Sequence, residues 1–120
     1  MRRMQRTTAY SRGNVVLVNF LFSEGVGAKR RPAVLVSSHA YQSGRREVIA
    51  AAVTSNIDRI WAGDSLLADW QEAGLLFPSV ATGVIRTIKQ SMITNTLGTL
   101  SHRDMEAVDQ RLRLILDLED

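Results

Sequence analysis

Lys29-Arg30-Arg31-Pro32-Ala33-Val34-Leu35-Val36-Ser37-Ser38 (KRRPAVLVSS) sets three consecutive cations against a proline and then runs straight into an apolar, β-branched segment. The part from 33 to 38 reads as a strand, because branched side chains suit a pleated surface and a proline opens it where no backbone donor is wanted. Two segments of the same kind flank it, 14–22 (NVVLVNFLF) before and 47–53 (EVIAAAV) after, the latter closed by Thr54-Ser55-Asn56. A glycine-containing loop at 23–28 and a turn at 41–46 separate them, so three strands within about forty residues predict a meander in a sandwich or barrel. Farther along, Leu66 and Leu67 predict a short edge strand. Residues 68–73 (ADWQEA) predict one helical turn ended by Gly74, and 79–88 (SVATGVIRTI) predict paired strands or one strand bent at Gly83. The last element is an α-helix over 101–118. Ser101 and Asp104 form a capping-box-like start, and Met105, Val108, Leu112, Ile115 and Leu116 recur at spacings of three and four.

The 120 residues suffice for one hydrophobic core and not for two ordinary ones, and 45% hydrophobic with 22% charged residues excludes a disordered chain. The expected organisation is a flexible basic arm at 1–11 and a single domain over 12–120. With no cysteine, disulfides, thiolate zinc sites and cysteine nucleophiles are excluded, and a reducing cytoplasm is the expected compartment. The longest apolar stretch, 15–22, is broken by Asn19 and falls short of the roughly 20 residues of a membrane helix. It also lacks the small-residue cleavage site of a signal peptide, so no membrane partner is expected. Charge is segregated along the chain: twelve bases face six acids up to Thr99, and from Leu100 onward six acids face three bases. Such a basic front suits a polyanion partner, and equally a solvated surface.

No P-loop, glycine-rich dinucleotide fingerprint, HExxH or Gly-x-Ser-x-Gly motif occurs. The two histidines, His39 and His102, have no triad or metal partner near them in sequence and read as surface residues, so no metal or cofactor is expected. Arginines and hydroxyls at strand ends remain. Pro32 fixes the backbone beside Arg31, and a planar, permanently charged guanidinium suits a phosphate and the charge that builds on it during cleavage. The same pattern also describes an edge-strand proline beside a solvated turn. Thr54-Ser55-Asn56 can offer hydroxyl and amide groups to the same phosphate, or can simply be the polar turn that stops a strand.

The ordered series Arg12-Gly13-Asn14-Val15-Val16-Leu17-Val18-Asn19-Phe20, Gly27-Ala28-Lys29-Arg30-Arg31-Pro32-Ala33-Val34-Leu35-Val36-Ser37 and Ala52-Val53-Thr54-Ser55 resembles the MazF/PemK family of toxin endoribonucleases. The likeness continues through 69–75 (DWQEAGL), 78–80 (PSV), 86–88 (RTI) and 97–100 (LGTL), and so covers nearly everything after the arm. It implies a mainly β protein with α, a small SH3-like barrel carrying a C-terminal helix, acting as a homodimer. It further implies metal-independent, sequence-selective cleavage of single-stranded RNA by attack of a 2′-hydroxyl on the adjacent phosphate. By the same resemblance Arg31 and Thr54 are the catalytic residues, Lys29, Arg30, Ser55, Asn56 and Arg86 bind RNA, and a small dimeric DNA-binding antitoxin is the partner. The sequence departs from the family pattern at 23–27 (SEGVG), where some members carry Gly-His-Glu or Gly-Ser-Glu, and at 82–84 (TGV), where others carry Arg-x-Asp. The proton carrier is therefore unassigned. A second class of function on the same barrel is binding without catalysis, to nucleic acid or to a protein target; the ending Leu118-Glu119-Asp120 lacks the tryptophan-containing tail of gyrase poisons.

Overall fold

The structure, a computed structural model, describes residues 10–21 and 28–119. The arm up to Ala9 and the loop at 23–27 lie outside the described residues. Six strands form one antiparallel sheet: β1 (Asn14–Leu21), β2 (Ala28–Leu35), β3 (Glu47–Thr54), β4 (Ser65–Leu66), β5 (Val80–Lys89) and β6 (Ile93–Thr99). Their spatial order is β4-β5-β3-β2-β1-β6. A four-residue helix α1 (His39–Gln42) links β2 to β3, a 3-10 turn (Gln90–Met92) links β5 to β6, and helix α2 (His102–Leu116) ends the fold.

The strand starting at the proline is longer than expected at its front and shorter at its back. β2 begins at Ala28, inside the cationic run, and stops at Leu35. Ser37 is buried instead, its hydroxyl donating to Gln42 at 2.6 Å and accepting the Ile49 amide at 3.0 Å, and Ser38 caps α1. The arm's last residues are folded in: Tyr10 packs on the core and its carbonyl accepts from Gln42 at 2.8 Å. The segment 68–74 makes the expected single turn, with Ala73 N–H donating to Asp69 C=O at 3.2 Å and Gly74 at φ +86°. β6 has no precedent in the sequence pattern, and it is polar because it is an edge strand with most of its residues in solvent.

The near-continuous apolar run of β1 follows from burial on both faces of the sheet. Val15 joins Val34, Val53, Leu67, Leu75, Leu100 and Val108 on one face, under α2. Val16 and Val18 join Ala33, Leu35, Val48, Ala50 and Ile88 on the other. The expected stripe of α2 reaches the core through Met105, Val108 and Leu112, whereas Leu116 is exposed because the helix runs past the sheet.

The curled sheet is barrel-like, but no hydrogen-bonded ladder closes it. Its two edges meet through the 68–75 segment, which lies on β6. A Cβ built on Gly74 would stand 2.2 Å from the Leu97 carbonyl oxygen, and one on Gly98 2.6 Å from that of Ala73. Only glycine at both positions allows the backbones this close.

The start of α2 is bolted to the same segment. Asp104, buried to 3% exposure, accepts the amides of Ala68 at 2.9 Å and Asp69 at 2.8 Å. Asp69 in turn accepts from Ser101 Oγ at 2.6 Å and, through both oxygens, from Arg103 at 2.8 and 2.7 Å. At the other side of the helix, Arg12 donates to the Val36 carbonyl at 2.8 Å and pairs with Asp109.

The Arg103 fork, with help from the Ser101 hydroxyl, holds the Asp69 carboxyl well below the usual carboxylate range. The unfolded chain therefore binds a proton at this site before the folded one does, so this contribution is present above pH of about 4 and is lost as pH falls below it. Replacing Asp69 by Asn is expected to lower stability at neutral pH and to flatten its decline between about pH 5 and pH 2. Urea unfolding of both proteins across that range measures it. Separately, Gly98→Ala is expected to cost about 1–3 kcal/mol by overpacking the edge contact, in the same assay at pH 7.

Candidate nucleic-acid interface

β1 and β2 pair along their whole shared length, from Val15↔Val34 to Leu21↔Ala28. β2 and β3 do not: their ladder covers only Ala33↔Ala52, Val34↔Ala51 and Leu35↔Ala50. It ends at Pro32, which has no N–H to give a neighbour. Beyond that point the two strands part, and Arg31 and Thr54 each lie two residues past the last pair. Residues two apart share a face of a strand, so the two come off their strands at matching positions on one side.

The parting opens a groove of about 520 Å³. Lys29, Arg30, Arg31 and Pro32 form one wall, Val53, Thr54 and Ser55 the second, and Gly74 to Phe77 with Ser79 the third; Leu17 and Leu97 complete it. The groove thus has an apolar floor and a cationic rim. All three cations are exposed, and among the described residues none pairs with a carboxylate. The surviving ion pairs of Arg12 and Arg103 lie elsewhere, on α2.

Thr54 is held by a local turn. Its hydroxyl oxygen accepts the Asn56 amide at 3.1 Å, and the Asn56 side-chain oxygen accepts the Asp58 amide at 3.3 Å. With a lone pair of Thr54 engaged this way, the hydroxyl proton is left to point at another acceptor. The polar-turn reading and the phosphate-binding reading of 54–56 are therefore compatible. Ser79, by contrast, donates to the Phe77 carbonyl at 2.7 Å and so fixes the third wall.

Five of the seven expected site residues, Lys29, Arg30, Arg31, Thr54 and Ser55, line this one groove. Asn56 lines a neighbouring hollow that shares Thr54. Arg86 is not brought to either: it pairs with Ala50 on β5, whereas Thr54 pairs with Val80, six residues along the same strand. Measured along β3, from Ala50 to Thr54, the separation is four residues, on the order of 14 Å at about 3.4 Å per residue. Leu76 and Phe77, 82% and 61% exposed, were not legible as site residues. Their one signal is a pair of large apolar side chains just before Pro78.

No group of three or more acidic or imidazole side chains among the described residues is placed to hold a metal ion. No helix among them is long and apolar enough to cross a membrane.

Comparison with known proteins agrees with this geometry. Residues 11–116 match the family described as PemK-like, MazF-like toxin of type II toxin-antitoxin system. No curated protein sequence matches the chain. Among solved structures, the MazE–MazF complex from Deinococcus radiodurans contains a chain of the same fold, with TM-score 0.78 and 21% identity over 94% of this chain and 100% of that one. An endoribonuclease in complex with its cognate antitoxin, from a Mycobacterial species, gives 0.71 and 21% over 95% and 99%. The Mycobacterium tuberculosis toxin MazF-mt6 gives 0.72 and 18% over 89% and 99%.

The position of Thr54 carries an expected outcome of its own. Thr54→Val keeps the shape of the side chain and removes the acceptor for the Asn56 amide, so the fold should stay intact. An exposed amide regains its hydrogen bond from water, and the stability change should stay within about 1 kcal/mol. Thermal unfolding of the two proteins checks it.

Proposed function

The chain belongs to the PemK-like, MazF-like toxins of type II toxin-antitoxin systems, and on that footing we propose that it is an endoribonuclease that cuts single-stranded RNA without a metal ion. The observation that carries the reading is the groove itself, where three exposed cations from β2, paired with no carboxylate among the described residues, face a hydroxyl from β3 across the gap that Pro32 opens.

The reaction is attack of a ribose 2′-oxygen on the adjacent phosphorus, its proton passing to solvent water, with departure of the 5′-oxygen of the next nucleotide, which takes a proton from water. The products are a 2′,3′-cyclic phosphate and a 5′-hydroxyl end. Arg31 stabilises the extra negative charge on the phosphoryl oxygens as phosphorus becomes five-coordinate, which a guanidinium does without giving up a proton. The Thr54 hydroxyl donates to one of those oxygens, aimed by the turn that occupies its lone pair. Lys29 and Arg30 hold neighbouring phosphates, and Ser55 and Asn56 add polar contacts where the strand leaves the site. Phe77 and Leu76 give a base a flat apolar surface to rest on. Among the described residues the groove lining contains no carboxylate or imidazole, and the roles given to Arg31 and Thr54 are positioning and charge stabilisation.

The same surface suits inhibition by an antitoxin. An extended acidic segment would meet the cations and apolar floor that RNA uses, so toxin and antitoxin binding exclude each other. The likeness to chains crystallised with antitoxins supports this partner class, and a homodimer is the assembly the family reading carries.

Incubating the purified protein with mixed-sequence RNA in EDTA, and mapping the ends, tests the proposal. Cuts with 5′-hydroxyl ends are expected, with Arg31→Ala slower by about 10²–10³-fold and Thr54→Ala also impaired. RNA that is retarded in a gel but left intact at high protein concentration would overturn it in favour of a binding-only relative.

A further inference from the structure

A second hollow of about 520 Å³ adjoins the groove and shares Thr54 with it. Asn56, Asp58, Arg59, Trp61 and Val84 line it, with Asp64 and Thr82. Trp61 is 63% exposed, an unusual state for the largest side chain in a protein with two tryptophans. It is also not on a loose loop. Its amide donates to Asp64 Oδ2 at 2.9 Å, and Asp64, 9% exposed, accepts the Gly83 amide through Oδ1 at 2.9 Å. A largely buried carboxylate thus pins the tryptophan backbone to β5. The Arg59 guanidinium stands 5.1 Å from the ring centroid and steadies the indole from one side. At that exposure the ring still presents apolar area to solvent, beside the residue that marks the reacting phosphate.

We propose that this hollow takes the base of the nucleotide adjoining the cut, stacked on Trp61, with Arg59 on the phosphate that follows and Asp58 on the base edge. The inference rests on the ribonuclease reading. The occupant is RNA because the hollow continues the groove through Thr54, and because an aromatic face with a flanking arginine binds bases through their π-faces. Asp58 narrows the base. Its carboxylate accepts no hydrogen bond among the described residues, and it can take two neighbouring N–H groups. Guanine alone presents such a pair, N1–H and N2–H, on its pairing edge, whereas uracil would set carbonyl oxygens against the carboxylate. The other acid in the hollow, Asp64, is already engaged by two amides and reads nothing.

The test uses the full chain and a mixed-sequence single-stranded RNA of twelve nucleotides, in two forms. The 2′-O-methyl form cannot be cut by 2′-oxygen attack and reports binding; the unmodified form reports cleavage and its flanking bases. Trp61→Ala should weaken binding about 5- to 150-fold, the range that loss of one base–aromatic stack produces. Trp61→Phe should restore most of it, while abolishing the indole quenching that binding causes in the unaltered protein. Asp58→Asn should reduce a guanine preference beside the cut by a similar factor. Trp61→Ala that binds and cuts normally, alongside an Arg31→Ala that does not cut, would overturn the hollow and leave the ribonuclease reading standing. Absence of guanine preference in the unaltered protein would overturn the role of Asp58. RNA neither bound nor cut by the unaltered protein would overturn both readings at once.

Discussion

The third wall of the groove hangs on one buried carboxylate. Asp104 sits in the first turn of α2, where its own amide is capped by Ser101 at 3.3 Å, and it receives the amides of two residues from a segment more than thirty positions earlier. A buried charge is tolerable only when hydrogen bonds replace its water, and two backbone amides with a helix N-terminus at hand do so. Because those amides belong to Ala68 and Asp69, the helix and the 68–75 turn become one body. That body carries Gly74 to Phe77, the third wall of the groove. The Asp69–Ser101–Arg103 cluster repeats the connection from outside, in solvent, where it contributes less. The groove is thus shaped from behind, by contacts outside its lining.

Much of this was readable beforehand, for physical reasons that differ by element. α2 announced itself because an amphipathic helix with a cap repeats its signal over four turns. β1, β2 and β3 were visible through branched residues, although the start of β2 was misjudged: Lys29 to Arg31 look like a turn in isolation, and only pairing with β1 makes them a strand. β6 was invisible, since ITNTLGT is polar and owes its conformation wholly to lying along β1. Arg31 and Thr54 were named by resemblance, and the register sets them at matching positions beside one groove. Arg86 lies on β5 opposite Ala50 and lines neither hollow, because position along the strand, not sequence motif, sets its surroundings. Asp104 read as part of a capping box with Ser101, and Ser101 is the cap; the task of the Asp104 carboxylate could not be seen, because it accepts from residues that no local pattern connects with it.

The polar residues near Thr54 show a similar division of labour. Thr54, Asn56 and Asp64 each accept backbone amides, in turns that set the shape of the surface. β5 bulges opposite, where its register with β3 shifts between Ala51 and Val53, and Gly83 lies within that irregular stretch. Asp64 caps it. Side chains that look available for chemistry in sequence are thus partly committed to architecture, and what remains for a ligand is the unengaged half of each group: the Thr54 proton, the Asp58 carboxylate, the three cations of β2.

The pairing of β1 with β6 joins Asn14 to Thr99 across most of the chain. The groove draws on Leu17 at one end of that span and Leu97 at the other. Contacts so distant in sequence form late, after the entropy of closing the intervening loop has been met. A ribosome releasing this chain therefore exposes the cations of β2 long before it completes the walls that would make them a site. The groove is thus complete only when synthesis is nearly finished, a delay set by topology alone.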